Sequence, residues 1–159
     1  MDQAQIARAF AATVHASLHG LNELKPLLEQ EQQALTGRDA ERVERIAADK
    51  LALLRQLEQS VQARDRLQTA AGVGPGIDGG RRLVLAVADD ALQSDWNALD
   101  ALAHEVARLN EDNGRLVQQA QRDTRNALGI LTGRSAQDDT YSTLRRRSGA
   151  LASYSLGKV

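Results

Sequence analysis

The chain has 159 residues, no cysteine, and 20 basic against 21 acidic side chains. One domain, or one domain plus tails, fits that length. Disulfides and thiolate metal centres are excluded, and so near-neutral a balance gives no electrostatic footprint for nucleic acid. Apolar residues make up 42% and aromatics only 3%. With few β-branched residues and two prolines, this leucine- and alanine-rich composition predicts an all-α protein of long helices packed side by side. No apolar run approaches the ~20 residues that span a bilayer, so no stable membrane insertion is expected. The opening Met1-Asp2-Gln3-Ala4-Gln5 lacks the basic region of a signal peptide, and a cytoplasmic location is the expectation.

The first helix is expected from about Gln3 to Thr36, with Ala7, Phe10, Ala11, Val14, Leu18, Leu21, Leu24, Leu28 and Leu35 on its apolar stripe. Pro26 lies inside that pattern. It removes a backbone donor and crowds the preceding turn, which predicts a kink over residues 22–25, or a new helix starting at Pro26. Thr36-Gly37-Arg38-Asp39 reads as a helix-helix turn. Gly37 suits the left-handed C-terminal position and Asp39 the next N-cap, and so short a connection makes the flanking helices antiparallel.

The second helix is expected over residues 40–71, its stripe formed by Val43, Ile46, Ala47, Leu53, Leu54, Leu57, Val61 and Leu67. Lys50 falls inside the stripe, where its stem can pack while the ammonium reaches solvent. Residues 72–80 hold five glycines and read as a flexible, exposed linker. A shorter helix follows over residues 81–92, with Leu83, Val84, Val87, Ala88 and Leu92 as its apolar side. A break or bend is expected near Gln93-Ser94, where Ser94 can cap a helix starting at Asp95, the alternative being one unbroken helix from about Arg81 to Leu131.

The last long helix carries the clearest pattern. Leu99, Leu102, Val106, Leu109, Leu116, Ala120, Ala127 and then Ile130 or Leu131 recur at intervals that fall on one stripe. Asn113 and Asp123 stand where that register asks for an apolar group. Gly114 sits inside the helix at a cost of roughly 1 kcal/mol relative to alanine. That pairing points to a close approach or a polar contact, and a register-setting asparagine in a bundle is the simplest form of it. After Gly133 the pattern stops. Residues 134–159, with Tyr141 and the triple arginine 145–147, hold too little apolar surface to fold alone and are expected to form a flexible tail beyond a helical domain of residues 1–133.

No catalytic or cofactor motif withstands its structural context. Gly74, Gly76 and Gly79 match G-x-G-x-x-G, but a helix rather than a strand precedes them, and no lysine follows as a P-loop needs. His15, His19 and Glu23 are spaced by four on one helix face, short of the four ligands of a structural metal site. His104, one turn after Asp100, reads as a surface pair. The expectation is no enzyme, no cofactor and no metal.

The order of elements resembles the FlgN family of flagellar type III export chaperones. Leu24, Leu27, Leu28, Glu31, Leu35, Asp39, Ile46, Lys50, Leu53, Leu54 and Leu57 follow that family's pattern of leucines, an acidic residue, a turn and a lysine before further leucines. The more specific part is Leu109-x-x-x-Asn113-Gly114-x-Leu116-Val117, with a Leu131-Thr132-Gly133 helix end and a downstream Thr140-Tyr141. The likeness covers roughly residues 4–141. It departs from the family in its glycine-rich 72–80 segment and in the late Gly149. The resemblance implies an elongated antiparallel bundle of three long helices plus one shorter helix. It implies a cytoplasmic chaperone that holds hook-filament junction proteins, FlgK-like and FlgL-like, and delivers them to the export gate. The implied client-binding face is Leu109, Asn113, Leu116, Val117, Ala120, Leu128 and Leu131, which take an amphipathic terminal helix of the client. Tyr141 is the implied contact to the gate's cytoplasmic domain. The competing class is a coiled-coil structural adaptor or self-assembling bundle without export clients, which the apolar stripes equally allow.

Overall fold

A computed structural model describes residues 2–131. The expected tail, with Tyr141 and the triple arginine, lies outside them. The described residues form four helices and no strand: α1 (Gln3–Thr36), α2 (Ala40–Ala70), α3 (Gly76–Val87) and α4 (Asp90–Leu131). Three long helices and one shorter one match the expected all-α class. By compactness the chain divides into two units, Met1–Leu116 and Val117–Val159. No helix among the described residues is long and apolar enough to cross a membrane.

α1 begins with a reciprocal cap. The Gln5 N–H donates to Asp2 Oδ1 at 2.7 Å, and the Asp2 N–H donates to Gln5 Oε1 at 3.0 Å. The helix continues through Pro26, so no second helix starts there. Asn22, whose carbonyl the proline leaves without a donor, is on the exposed face, where water is available to it. The turn into α2 departs from expectation in one respect. Gly37 stays right-handed at φ −77, and Arg38 takes the left-handed conformation at φ 55. The Gly37 N–H is already committed to Gln33 O at 2.9 Å, which holds that residue in the helical sense and passes the reversal on. Asp39 does cap α2, accepting from the Arg42 N–H at 3.0 Å.

Contacts between α1 and α2 run in opposite directions, Glu31 with Lys50 and Gly20 with Leu57, so the two helices are antiparallel. A Cβ on Gly20 would sit 2.8 Å from Leu57 Cδ2, which makes glycine a condition of that approach. Contacts between α1 and α4 run in the same direction: Phe10 with Trp96, Lys25 with Glu105, Leu28 with Asn113. The core lies along this parallel pair. Phe10, Val14, Leu21, Leu24 and Leu28 of α1 meet Leu92, Trp96, Leu99 and Val106 of α4, closed by Leu83 and Val84 of α3. Phe10 and Trp96 stack with ring centroids 5.9 Å apart. α2 contributes far less than its stripe suggests. Ile46 is its one fully buried apolar residue, Val43, Leu53, Leu57 and Leu67 are half-buried, and Ala47, Leu54 and Val61 are exposed.

The glycine-rich segment is exposed at Gly72 and over residues 75–78, as the composition suggests, but its last five residues already belong to a helix. Gly72 and Gly74 adopt positive φ, and α3 already begins at Gly76. Gly79 and Gly80 are buried. A Cβ at Gly79 would lie 1.8 Å from the Gly74 carbonyl oxygen, and one at Gly80 only 2.1 Å from the Trp96 ring. The segment is held by side chains as well: Asp65 Oδ1 accepts from the Gly76 N–H at 3.0 Å, and Arg82 Nε donates to Val73 O at 3.2 Å. Gly79 and Gly80 permit close packing, while positive φ accounts for Gly74 and Gly76, so the G-x-G-x-x-G spacing needs no bound phosphate.

The break before the last helix falls earlier than expected. Ala88 is left-handed at φ 53, and Asp89 caps α4 by accepting from the Leu92 N–H at 2.8 Å. Ser94 lies within the helix and is exposed. An aspartate one residue past a left-handed stop offers the better cap, so Gln93-Ser94 is neither a break nor a bend in the helix assignment.

Candidate functional site

The asparagine expected to set the register of α4 is buried and tied to α1. Asn113 is 2% exposed, and its Nδ2 donates to Leu28 O and to Glu31 Oε2, both at 2.8 Å. The other oxygen of Glu31 accepts from Lys50 Nζ of α2 at 2.7 Å. One buried carboxylate, 4% exposed, thus receives a donor from each of two neighbouring helices. Lys50 does not extend its ammonium to solvent but turns it onto this carboxylate. Gly114, next to Asn113, is exposed, and a Cβ there would meet nothing within 4 Å. The polar contact accounts for the asparagine, and no close approach within the chain accounts for the glycine.

The remaining residues of the implied client face fall into two settings. Leu109 is half-buried against the core, and Leu116 is half-buried. In the second unit Val117 is half-buried, whereas Ala120, Leu128 and Leu131 are exposed. Leu128, Ile130 and Leu131 are 54%, 81% and 82% exposed. Val117, Ala120, Thr124, Leu128 and Leu131 recur at intervals of three and four along the helix, so Val117, Ala120, Leu128 and Leu131 share one face, with Ile130 off it. Tyr141 lies outside the described residues.

The polar groups singled out in the sequence take surface roles. His15 Nε2 lies 3.3 Å from Asp95 Oδ2 across α1 and α4, and His19 Nδ1 lies 3.4 Å from Glu23 Oε2. His104 Nδ1 is 3.8 Å from Asp100 Oδ1 and 2.8 Å from its backbone oxygen. No three metal-ligating side chains come together among the described residues. Lys25 pairs with Glu105 at 2.7 Å, and the hydrogen bond its ammonium donates to that carboxylate raises the lysine above its ordinary pKa. Sequence reasoning passed over Trp96 and Arg64, which stack at 5.4 Å. Two signals were available: Trp96 is the only tryptophan, and Arg64 continues the α2 stripe one turn past Val61.

No curated protein and no solved structure matches the chain significantly. A family model, described as FlgN protein, matches residues 1–148. That span takes in all four helices and the buried network of Asn113, Glu31 and Lys50. The chain belongs to the FlgN family of flagellar export chaperones.

Proposed function

We propose that the chain holds FlgK-like and FlgL-like hook-filament junction proteins in the cytoplasm before their export and presents them to the cytoplasmic domain of the type III export gate. It acts by binding, not by catalysis. Family membership supports the general role. The exposed apolar positions of one face over the last turns of α4, Leu128 and Leu131 at 54% and 82% exposed, carry the more specific reading. Apolar side chains at helical spacing match the way an amphipathic helix is taken up, through anchors at i, i+3, i+4 and i+7. Val117, Ala120, Leu128 and Leu131 are the client contacts on this reading; Leu109 and Leu116, which belong to the first unit, are proposed as client contacts on family resemblance alone. Asn113 serves the site indirectly by fixing the register of the helix that carries it. Tyr141 is proposed as the gate contact on family resemblance.

The test is titration of a junction-protein terminal-helix peptide against the chain and against Leu131→Asp. A fully buried leucine contact contributes about 1.5–3 kcal/mol, so affinity is expected to fall tenfold or more while the melting temperature stays unchanged. Unchanged affinity with a folded Leu131→Asp chain removes the α4 face from the mechanism.

A further inference from the structure

Leu57, Val61 and Arg64 are spaced by four and three along α2 and share one face. With Leu21 of α1 and Trp96 and Leu99 of α4 they line an open groove of about 200 Å³, wholly within the unit Met1–Leu116. The walls are almost entirely apolar. Two buried donors nevertheless line it without an acceptor. Arg64 is 9% exposed, and its Nε has no hydrogen-bond partner among the described residues; the Ser17 hydroxyl, also lining the groove, has none either. Trp96 gives the guanidinium a ring face at 5.4 Å, which offsets part of its desolvation but accepts none of its in-plane N–H groups. Burial pulls the Arg64 pKa below the ordinary arginine value, opposed by the charge of Asp65. A buried cation lacking an anion is costly, and an anion supplied from outside would be attracted strongly in so dry a setting. Asp100, the acidic residue on the lining, already faces His104.

The rim indicates the shape of what fits. Leu54, Leu57 and Val61 continue the stripe, and Leu54, Val61 and Ile77 are 43%, 38% and 54% exposed. An apolar ridge of seven residues along α2 is about 10 Å long at 1.5 Å per residue, the reach of two turns of a second helix. A cavity of about 150 Å³ accommodates benzene, so the groove has room for one leucine or phenylalanine side chain. We propose that this groove docks an amphipathic helix of a protein partner, which buries one large apolar side chain against Trp96 and seats a carboxylate on Arg64 and Ser17. The site is independent of the client face at the end of α4.

Two helical alanine-glutamine peptides test this on the full chain, one with leucine at i and i+4 and glutamate at i+7, its twin with glutamine at i+7. Trp96, the only tryptophan, reports occupancy by its emission. Because the chain has no cysteine, Ala103→Cys carries a single benzophenone at the groove edge. The glutamate peptide is expected to shift Trp96 emission, to bind about tenfold more tightly than its twin, and to become the cross-linked species. Arg64→Met should abolish the difference between the peptides. An unchanged Trp96 emission, or equal affinity of the two peptides for the unaltered chain, overturns the proposal whether or not Arg64→Met folds. Cross-linking to residues 132–159 of the same chain, or to a second copy, assigns the groove to that occupant and likewise overturns it.

Discussion

Asn113 on α4 donates to Glu31 on α1 at 2.8 Å in the interior, and the same amide nitrogen reaches the Leu28 carbonyl at 2.8 Å. An apolar residue here would pack equally well in several registers. The asparagine finds both acceptors in one register only, which is how a single buried polar group selects among otherwise similar helix pairings. Asn113→Leu should therefore do two things. It leaves the Leu28 carbonyl and one Glu31 oxygen without this donor, at about 1–3 kcal/mol, and it loosens the register of α4 on α1. Urea unfolding reads the first. A broadened Trp96 emission band reads the second, because α4 carries Trp96 against Phe10.

Two ion pairs of similar length separate burial from proximity. Lys50 and Glu31 approach to 2.7 Å with side chains 21% and 6% exposed, and Arg115 and Glu111 to 2.6 Å with both largely exposed. Lys50→Met strips a buried carboxylate of its cation and should destabilise the chain by about 3 kcal/mol, the lower end for a broken buried pair. Arg115→Met should leave the unfolding midpoint unchanged, since solvent and salt screen that pair. Equal effects of the two changes would show that the Lys50–Glu31 pair is no less solvated than the surface pair.

Gly80 and Gly114 make opposite predictions for the same substitution. A Cβ at Gly80 would lie 2.1 Å from the Trp96 ring, while one at Gly114 meets nothing within 4 Å. Gly80→Ala must displace either α3 or the ring and should destabilise by about 1–3 kcal/mol, as overpacking does, with a change in Trp96 emission. Gly114→Ala should stabilise the fold by about 0.5–1 kcal/mol, the helix-propensity difference. If Gly114→Ala instead weakens client binding at raised stability, the glycine serves the approach of a partner rather than the fold.

The helices were legible where one physical signal dominated. The α1 stripe and the first part of the α4 stripe, Leu99 to Leu109, do form the core, whereas Ala120, Ala127, Ile130 and Leu131 of the same α4 stripe are exposed, and Asn113 stood out because it interrupted a regular pattern. The α2 stripe had the same spacing yet is largely half-buried or exposed, since periodicity gives the face of a helix but not whether anything covers it. Within the segment 72–80, the burial of Gly79 and Gly80 was not legible for a related reason. Glycine content signals freedom in an isolated chain, but Gly79 and Gly80 are there to admit a carbonyl and an indole ring, neighbours that no local rule supplies. The break at Ala88-Asp89 was missed because alanine rarely takes a left-handed conformation, whereas Ser94 offered an ordinary cap. Glu31 and Lys50 were each visible alone, but their pairing depends on the antiparallel register of α1 and α2. Arg64 and Trp96 lay outside the expected site because their stacking joins α2 to α4, and helical spacing within either helix does not encode how the two pack.

The last prediction separates the proposed client face from the proposed gate contact. Val117→Asp introduces a charge on the half-buried edge of the α4 face, and Leu131→Asp introduces one where the side chain is 82% exposed. If the face binds a client helix, both changes place an unpaired carboxylate in an apolar interface. The cost of that burial should lower peptide affinity at least tenfold. Leu131→Asp should leave the melting temperature unchanged, because its side chain covers no core residue. Val117→Asp should lower it modestly. Tyr141→Ala is the companion change and should alter neither peptide affinity nor melting temperature. It should weaken binding of the chain to the isolated cytoplasmic domain of the export gate, measured with and without client peptide. Loss of client affinity in Tyr141→Ala, with none in folded Leu131→Asp, would exchange the two assignments and place client recognition at Tyr141.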